Sequence, residues 1–258
     1  MRVWVVSLAG FGLFLWPLLG GVIPADAPAY AIAGGVMIVL ALVEVGTRGL
    51  DTRRLALLAA LAAIDAALRL ALVIGIGGFS PIFFLILCAG FTFGPSYGYL
   101  VGSFSLLISA LVTGGVGPWL PYEMLAAGWV GVAAGVAGGT LGRRLRPGGW
   151  RAVVLLAAVA AVTGYLYGVL TDIQTWTTGF RGTPGLGWSP GMPPEQALRH
   201  FLRFYLATSL VWDTFRAVGD TLMVLVLGRP VLAALERLRG RLTVEIVERG
   251  PTVDLPRP

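Results

Sequence analysis

Lysine is absent from the 258 residues, and all nineteen basic side chains are arginine. A phosphate-binding G-x-x-x-x-G-K-[ST] loop needs its lysine, so the chain is no P-loop ATPase. Cysteine and histidine occur once each, Cys88 inside an apolar run and His200 beside Arg199. These counts rule out an internal disulfide and a cysteine-based metal cluster, and they leave only scattered carboxylates as further metal ligands. Charge is scarce, at 12% of residues against about 25% in an average soluble domain. What the chain has instead is 57% hydrophobic residues and a mean hydropathy of +0.83, which marks a membrane protein. A net charge of +6 would suggest nucleic acid if the arginines shared one soluble face, but they are distributed among the connections between apolar runs. No nucleic-acid role and no cofactor or metal is expected.

A membrane crossing takes about 20 apolar residues, and the pattern predicts an all-α, polytopic membrane helix bundle with eight spans. The first run, Val3 to Ile23, precedes Pro24, Ala25 and Asp26. It reads as a retained helix, with a cleaved signal peptide as the alternative, because Ala25-Asp26-Ala27 fits a small-x-small site. Removing it would leave the other spans facing as they do. The second run is Ala29 to Val45. Leu55 to Ile76, Ile82 to Phe93, Tyr97 to Val112 and Leu120 to Leu141 follow, punctuated by Phe79-Ser80-Pro81, Gly94-Pro95-Ser96 and the glycine-rich Gly114 to Pro118. The seventh run is Ala152 to Leu170 and the eighth Phe201 to Leu227. Between them the aromatic stretch from Thr171 to Glu195 is long for a loop in a compact domain, which points to function or disorder.

Orientation follows from arginine, because positively charged loops stay cytoplasmic. Arg48, Arg53 and Arg54, then Arg143, Arg144, Arg146 and Arg151, and finally six arginines after the eighth span all fall on one side. The opposite connections carry almost none. Both termini are therefore expected in the cytoplasm of a multi-pass plasma-membrane protein, with the aromatic loop outside. By this division residues 1–48 are two N-terminal helices, 49–235 a six-helix core with its outer loop at 171–200, and 236–258 a basic cytoplasmic tail.

Charges within spans are costly on insertion scales, about 2.5 to 3.5 kcal/mol each, and usually face the bundle interior in pairs. Asp65 with Arg69 and Asp213 with Arg216 have ion-pair spacing on their helices, and Asp220 lies one turn beyond Arg216. Glu123, in the first turn after Pro121, suits a helix N-terminus or contact with a polar solute. His200 reads as a solvated residue at a helix start.

The outer side collects Tyr167, Phe201 and Thr208 together with ten further aromatic and polar residues: Trp119, Tyr122, Tyr165, Asp172, Gln174, Trp176, Trp188, Tyr205, Ser209 and Trp212. An interfacial aromatic belt accounts for some of them. Apolar walls with a few convergent polar groups are also what a small-molecule pocket requires, and the candidate substrate-binding set is these ten residues with Glu123. A second surface is a stripe of alanines: Ala59, Ala63, Ala67 and Ala71 recur every four residues, so another helix can approach closely, either within the bundle or from a partner. Gly94, Gly98 and Gly102, with Gly128, Gly131, Gly135, Gly138 and Gly139, are expected to pack internally.

The stretch from Phe93 to Gly135, with Gly94-Pro95, Gly117-Pro118-Trp119 and Pro121, resembles the substrate-binding S-components of energy-coupling factor (ECF) transporters, and Ser209 to Leu235 resembles their last helix and its cytoplasmic exit. The resemblance covers Leu55 to Leu235, the usual six helices, and makes the two preceding spans an addition. Asp220 departs from it, standing where many relatives carry asparagine. The resemblance implies a subunit, not itself an enzyme, that captures a vitamin-type small molecule from outside. It would deliver that solute inward when docked to a transmembrane coupling subunit and two ATPase subunits. It places the docking contact on Ala59, Ala63 and Ala67, and among substrates it favours a cobalamin-type corrinoid, with riboflavin and thiamin as alternatives. A structural scaffold of the cell envelope and an intramembrane enzyme are the rival readings.

Overall fold

The computed structural model describes residues 52–71, 82–146 and 148–242, with isolated positions between 35 and 43. The first two predicted spans, the signal-peptide alternative and the last part of the basic tail lie outside the described residues. Among those described, every regular element is helical: α1 Thr52–Ala71, α2 Ile82–Phe93, α3 Pro95–Thr113, α4 Leu120–Gly139, a short 3-10 turn Gly142–Arg144, α5 Trp150–Thr178, α6 Pro194–Thr208 and α7 Leu210–Leu242. Four of them, α3, α4, α5 and α7, are long and apolar enough to cross a membrane.

The twelve residues of α2 reach only about 18 Å at 1.5 Å per residue, short of a roughly 30 Å hydrocarbon core. Its residues 83–90 are all buried, so α2 is the central post around which the longer helices stand. With polar groups absent from most of its surface, it contributes Ile86, Leu87, Cys88 and Ala89, none with any exposure, to the main core.

Glycine sets the spacing of α2, α3 and α4. A methyl on Gly98 would overlap the Gly131 carbonyl, one on Gly131 would overlap the Gly98 carbonyl, and Gly90, Gly102 and Gly135 meet backbone in the same way. With no side chain between them the backbones touch, the mode by which small residues hold membrane helices together. The internal packing expected of Gly98, Gly102, Gly128, Gly131, Gly135 and Gly138 is what the structure contains, whereas Gly94 and Gly139, expected to pack with them, stand at helix ends where an added methyl would meet nothing within 4 Å. Gly94, between α2 and α3, has φ +97, a conformation glycine adopts without a Cβ penalty, and it lets the chain reverse directly into Pro95 at the head of α3.

Three boundaries differ from the sequence expectation. The seventh helix does not stop at Leu170 but runs to Thr178, because the threonines that would weaken it satisfy themselves. Thr171, Thr175, Thr177 and Thr178 each donate a hydroxyl hydrogen bond to the carbonyl four residues back. The 29-residue α5 is about 44 Å long and must project beyond a roughly 30 Å core. The predicted eighth helix is two helices. Charged Glu195, Arg199 and Arg203 with apolar Ala197, Phe201 and Phe204 make α6 amphipathic, whereas α7 begins apolar. The joint falls at Ser209, after Thr208 donates back to the Phe204 carbonyl at 2.7 Å, a side-chain bond that bends helices. At its far end α7 continues past residue 235 to Leu242, so the predicted tail begins as helix.

The long loop therefore contracts to the segment from Gly179 to Pro193, and it is folded. Trp176, Trp188 and Phe204 form a second hydrophobic cluster, flanked by Phe180, Ala197 and Phe201. The Trp176 indole donates to the Leu186 carbonyl at 2.7 Å, the Gly182 amide to the Trp188 carbonyl at 2.9 Å, and His200 Nδ1 to the Gly187 carbonyl at 2.8 Å. His200 is thus a half-buried clasp on the loop and not the solvated residue expected. The end of α5, this segment and α6 make a cap with its own small core.

Candidate functional site

Beneath the cap, α5 and α7 meet through glycine. A methyl on Gly164 would collide with Ala217, and one on Gly168 with the Asp213 carboxylate. The two glycines are four apart, as are the residues they face, so the missing side chains on α5 admit a buried acid from α7. Asp213 is 2% exposed and forms an ion pair with Arg216 three residues on, as its spacing predicts. The Arg216 guanidinium also lies over the Tyr167 ring, 5.1 Å from its centroid, a placement worth about 0.5 to 2 kcal/mol. Tyr167 in turn meets Phe83 of α2 edge-on at 4.6 Å.

The predicted substrate residues separate into three groups. Tyr165, Asp172, Tyr205 and Ser209 gather around Asp213: the Tyr165 hydroxyl donates to Thr214 Oγ1 at 3.0 Å, Tyr205 stands beside the Asp213 carboxylate, and Ser209 beside that of Asp172. One oxygen of each acid, Asp172 Oδ2 and Asp213 Oδ2, is buried without a hydrogen-bond partner among the described residues. Such acceptors are normally satisfied, so this junction is where a donor group is wanted. Gln174, Trp176 and Trp188 form a second group committed to the cap, with Gln174 Nε2 donating to Thr178 Oγ1 at 3.2 Å and both indoles buried in the cap's cluster. The third group is dispersed. Trp119 and Trp212 are about half exposed on the outside, Trp119 donating to the Gly115 carbonyl at 3.2 Å, while Tyr122 is buried in the main core. Glu123 points inward within electrostatic reach of both Arg69 and Arg216.

Deeper in the bundle lie Asp65 and Asp220, 0% and 1% exposed. The expected Asp65–Arg69 ion pair does not form. Asp65 turns to the interior, towards Ser105 and Asp220, and neither of its oxygens has a hydrogen-bond partner. Arg69 lies within electrostatic reach of both Asp65 and Glu123 and forms an ion pair with neither. The helical spacing allowed the pair, but α1 is rotated so that Leu58, Leu61, Ala62, Asp65 and Ala66 face inward. That rotation turns Ala59, Ala63 and Ala67 outward, where they are exposed with respect to the described residues.

Sequence reasoning counted Tyr167 among the outer aromatics without pairing it with Arg216, and it missed Gly168 as the space that admits Asp213. The Gly164/Gly168 spacing was the available signal, because glycines four apart in an apolar helix mark a close helix contact. An apolar crevice of about 790 Å³ also opens between α4 and α5, lined by Trp129, Val132, Val136, Leu166 and Leu170 with Tyr167 at its wall. Val136, Leu141 and Leu166 at its rim are exposed, which suits contact with lipid tails better than with a polar solute. No group of three or more potential metal ligands occurs among the described residues.

Comparison with curated proteins and with solved structures returns no match. Residues 53–228, from the start of α1 to well within α7, match the family model described as ECF transporter, substrate-specific component. The match spans the helical bundle, the cap and the charged junction together, and the chain belongs to the family of substrate-specific components of ECF transporters.

Proposed function

We propose that this membrane subunit captures a micronutrient at the junction of α5, α6 and α7 and releases it inward when docked to a coupling subunit with two ATPases. The observation that carries the site is the pair of buried, unmet acceptors, Asp172 Oδ2 and Asp213 Oδ2, beneath a self-packed cap. Two acceptors flanked by Tyr165, Tyr205 and Ser209 suit a compact ring-bearing solute with N–H, O–H or cationic donors, since a few convergent polar groups set orientation in an otherwise apolar pocket. A cobalamin-type corrinoid, which the resemblance favours, would call for aromatic faces free to stack on it, and those of Trp176 and Trp188 are used within the cap. Thiamin and riboflavin, which offer amine, amide or hydroxyl donors on a small ring system, fit the remaining groups better.

The arginine-rich ends of the helices support a cytoplasmic face at Arg54, Arg143 and Arg239, and so an external cap. The outward-turned Ala59, Ala63 and Ala67 support the coupling-subunit contact. The test is mass spectrometry of small molecules copurifying with the detergent-solubilised chain, followed by calorimetric titration of thiamin, riboflavin and cobalamin. Asp172→Asn should weaken the binding of the retained solute by about tenfold or more, the scale of a hydrogen bond to a charged group. Unchanged affinity in Asp172→Asn and in Tyr205→Phe would remove the site from this junction.

A further inference from the structure

At the opposite end of the bundle from the cap, where α2 ends, α4 ends and α7 passes, lies a cavity of about 560 Å³ whose lining includes Thr92, Gly94, Gly139, Arg143, Glu236 and Arg239. Three features distinguish it from the gaps between apolar helices. Its cations come from two separate elements, Arg143 on the 3-10 turn and Arg239 on α7. Arg239 is paired with Glu236 at 3.6 Å, whereas Arg143 has no ion-pair partner among the described residues, and Arg144 and Arg146 stand beside it in sequence. Its floor is bare backbone: a methyl added at Gly94 or Gly139 would meet nothing within 4 Å. And Thr92, 2% exposed, has a hydroxyl with no hydrogen-bond partner. Thr113, Thr140, Thr163, Thr208 and Thr221 each donate to the carbonyl four residues back. Thr92 does not.

An unmet buried hydroxyl, arginines from two elements and an open glycine floor are the parts of an oxyanion site, because arginine matches phosphate geometry with paired N–H donors and a hydroxyl supplies a further one. We propose that this cavity binds the phosphate group of an anionic ligand, held by Arg143 and Arg239 and by the Thr92 hydroxyl. The chemistry is shared by an anionic phospholipid headgroup and by a soluble phosphate monoester. The site is separate from the solute junction under the cap and does not depend on the reading given there.

The experiment is native mass spectrometry of the full-length chain in detergent, with dioleoylphosphatidylglycerol or dioleoylphosphatidylcholine added at equal concentration and sn-glycerol 3-phosphate as the soluble competitor. Phosphatidylglycerol should be retained in preference to phosphatidylcholine. The Arg143→Gln/Arg239→Gln pair should lower its occupancy about tenfold or more, as expected for loss of hydrogen bonds to a charged group. Thr92→Val keeps the side-chain shape and should also reduce it, and Gly139→Leu, which projects into open space, should block it without disturbing the fold. Displacement of the lipid by sn-glycerol 3-phosphate would assign the site to soluble phosphates, and resistance to it would assign the site to the headgroup; either supports the proposal. Equal retention of the two lipids, no retention of either lipid or of sn-glycerol 3-phosphate, or full phosphatidylglycerol retention by the variants would overturn it.

Discussion

Removing one partner of the Asp213–Arg216 pair should cost far more than removing both. Asp213 is 2% exposed and the Arg216 side chain 16%, so Arg216→Leu strands a carboxylate in a nearly water-free place. Breaking a buried pair in this way costs about 3 to 5 kcal/mol, whereas replacing both members by apolar groups of similar volume is often neutral or better. For a chain of this size each kcal/mol moves a melting midpoint by about 2 to 4 °C, so Arg216→Leu should lower it by roughly 6 to 20 °C. Part of that loss is the stacking on Tyr167 and would persist in Asp213→Leu/Arg216→Leu, which should otherwise recover most of the drop. The assay is a thermal melt of the detergent-solubilised protein, followed by tryptophan fluorescence and by loss of the monodisperse peak on size exclusion, over the full double-mutant cycle. A double variant no more stable than the sum of the singles would mean that the two charges do not act on each other, and the argument for a charged junction would fail.

Four further outcomes follow from the packing. Gly131→Leu should abolish folded yield, because a side chain there runs into the Gly98 backbone, while Gly139→Ala should leave yield unchanged; equal yields would contradict the glycine contact. Trp176→Ala removes a buried ring and its hydrogen bond to Leu186, a change worth about 3 to 5 kcal/mol in a core, and should speed tryptic cleavage after exposed Arg181; an unaltered cleavage rate would show that the cap does not depend on this cluster. Asp220→Asn replaces a carboxylate that has no hydrogen-bond partner with a neutral amide and should raise the melting midpoint, since an unpaired buried charge is a liability; a lowered midpoint would require a partner for that acid. Ala63→Leu should leave solute affinity intact and stop uptake, and unchanged assembly with the coupling subunit would count against the alanine face.

Hydropathy and the four-residue glycine spacings determined the helix class, the positions of α2, α3 and α4, and most of the glycine contacts among them. These are local properties, set by how many apolar residues a crossing needs and by which side chains recur on one face. The match of α2 to Ile82–Phe93 and of α3 and α4 to within a few residues shows how far that reaches. Tertiary structure alone decided where charge and aromatic groups go. Helical spacing offered Asp65 a partner in Arg69, but the rotation of α1 buried Asp65 in the interior without that ion pair, since rotation is set by which face packs against α3 and α2. The tryptophans that suggested a solute wall closed on one another because α6 turned back over α5, a fold-back that no periodicity encodes. The space for Asp213 exists only because Gly168 arrives opposite it from another helix, and the register between two helices is a property of their contact, not of either sequence.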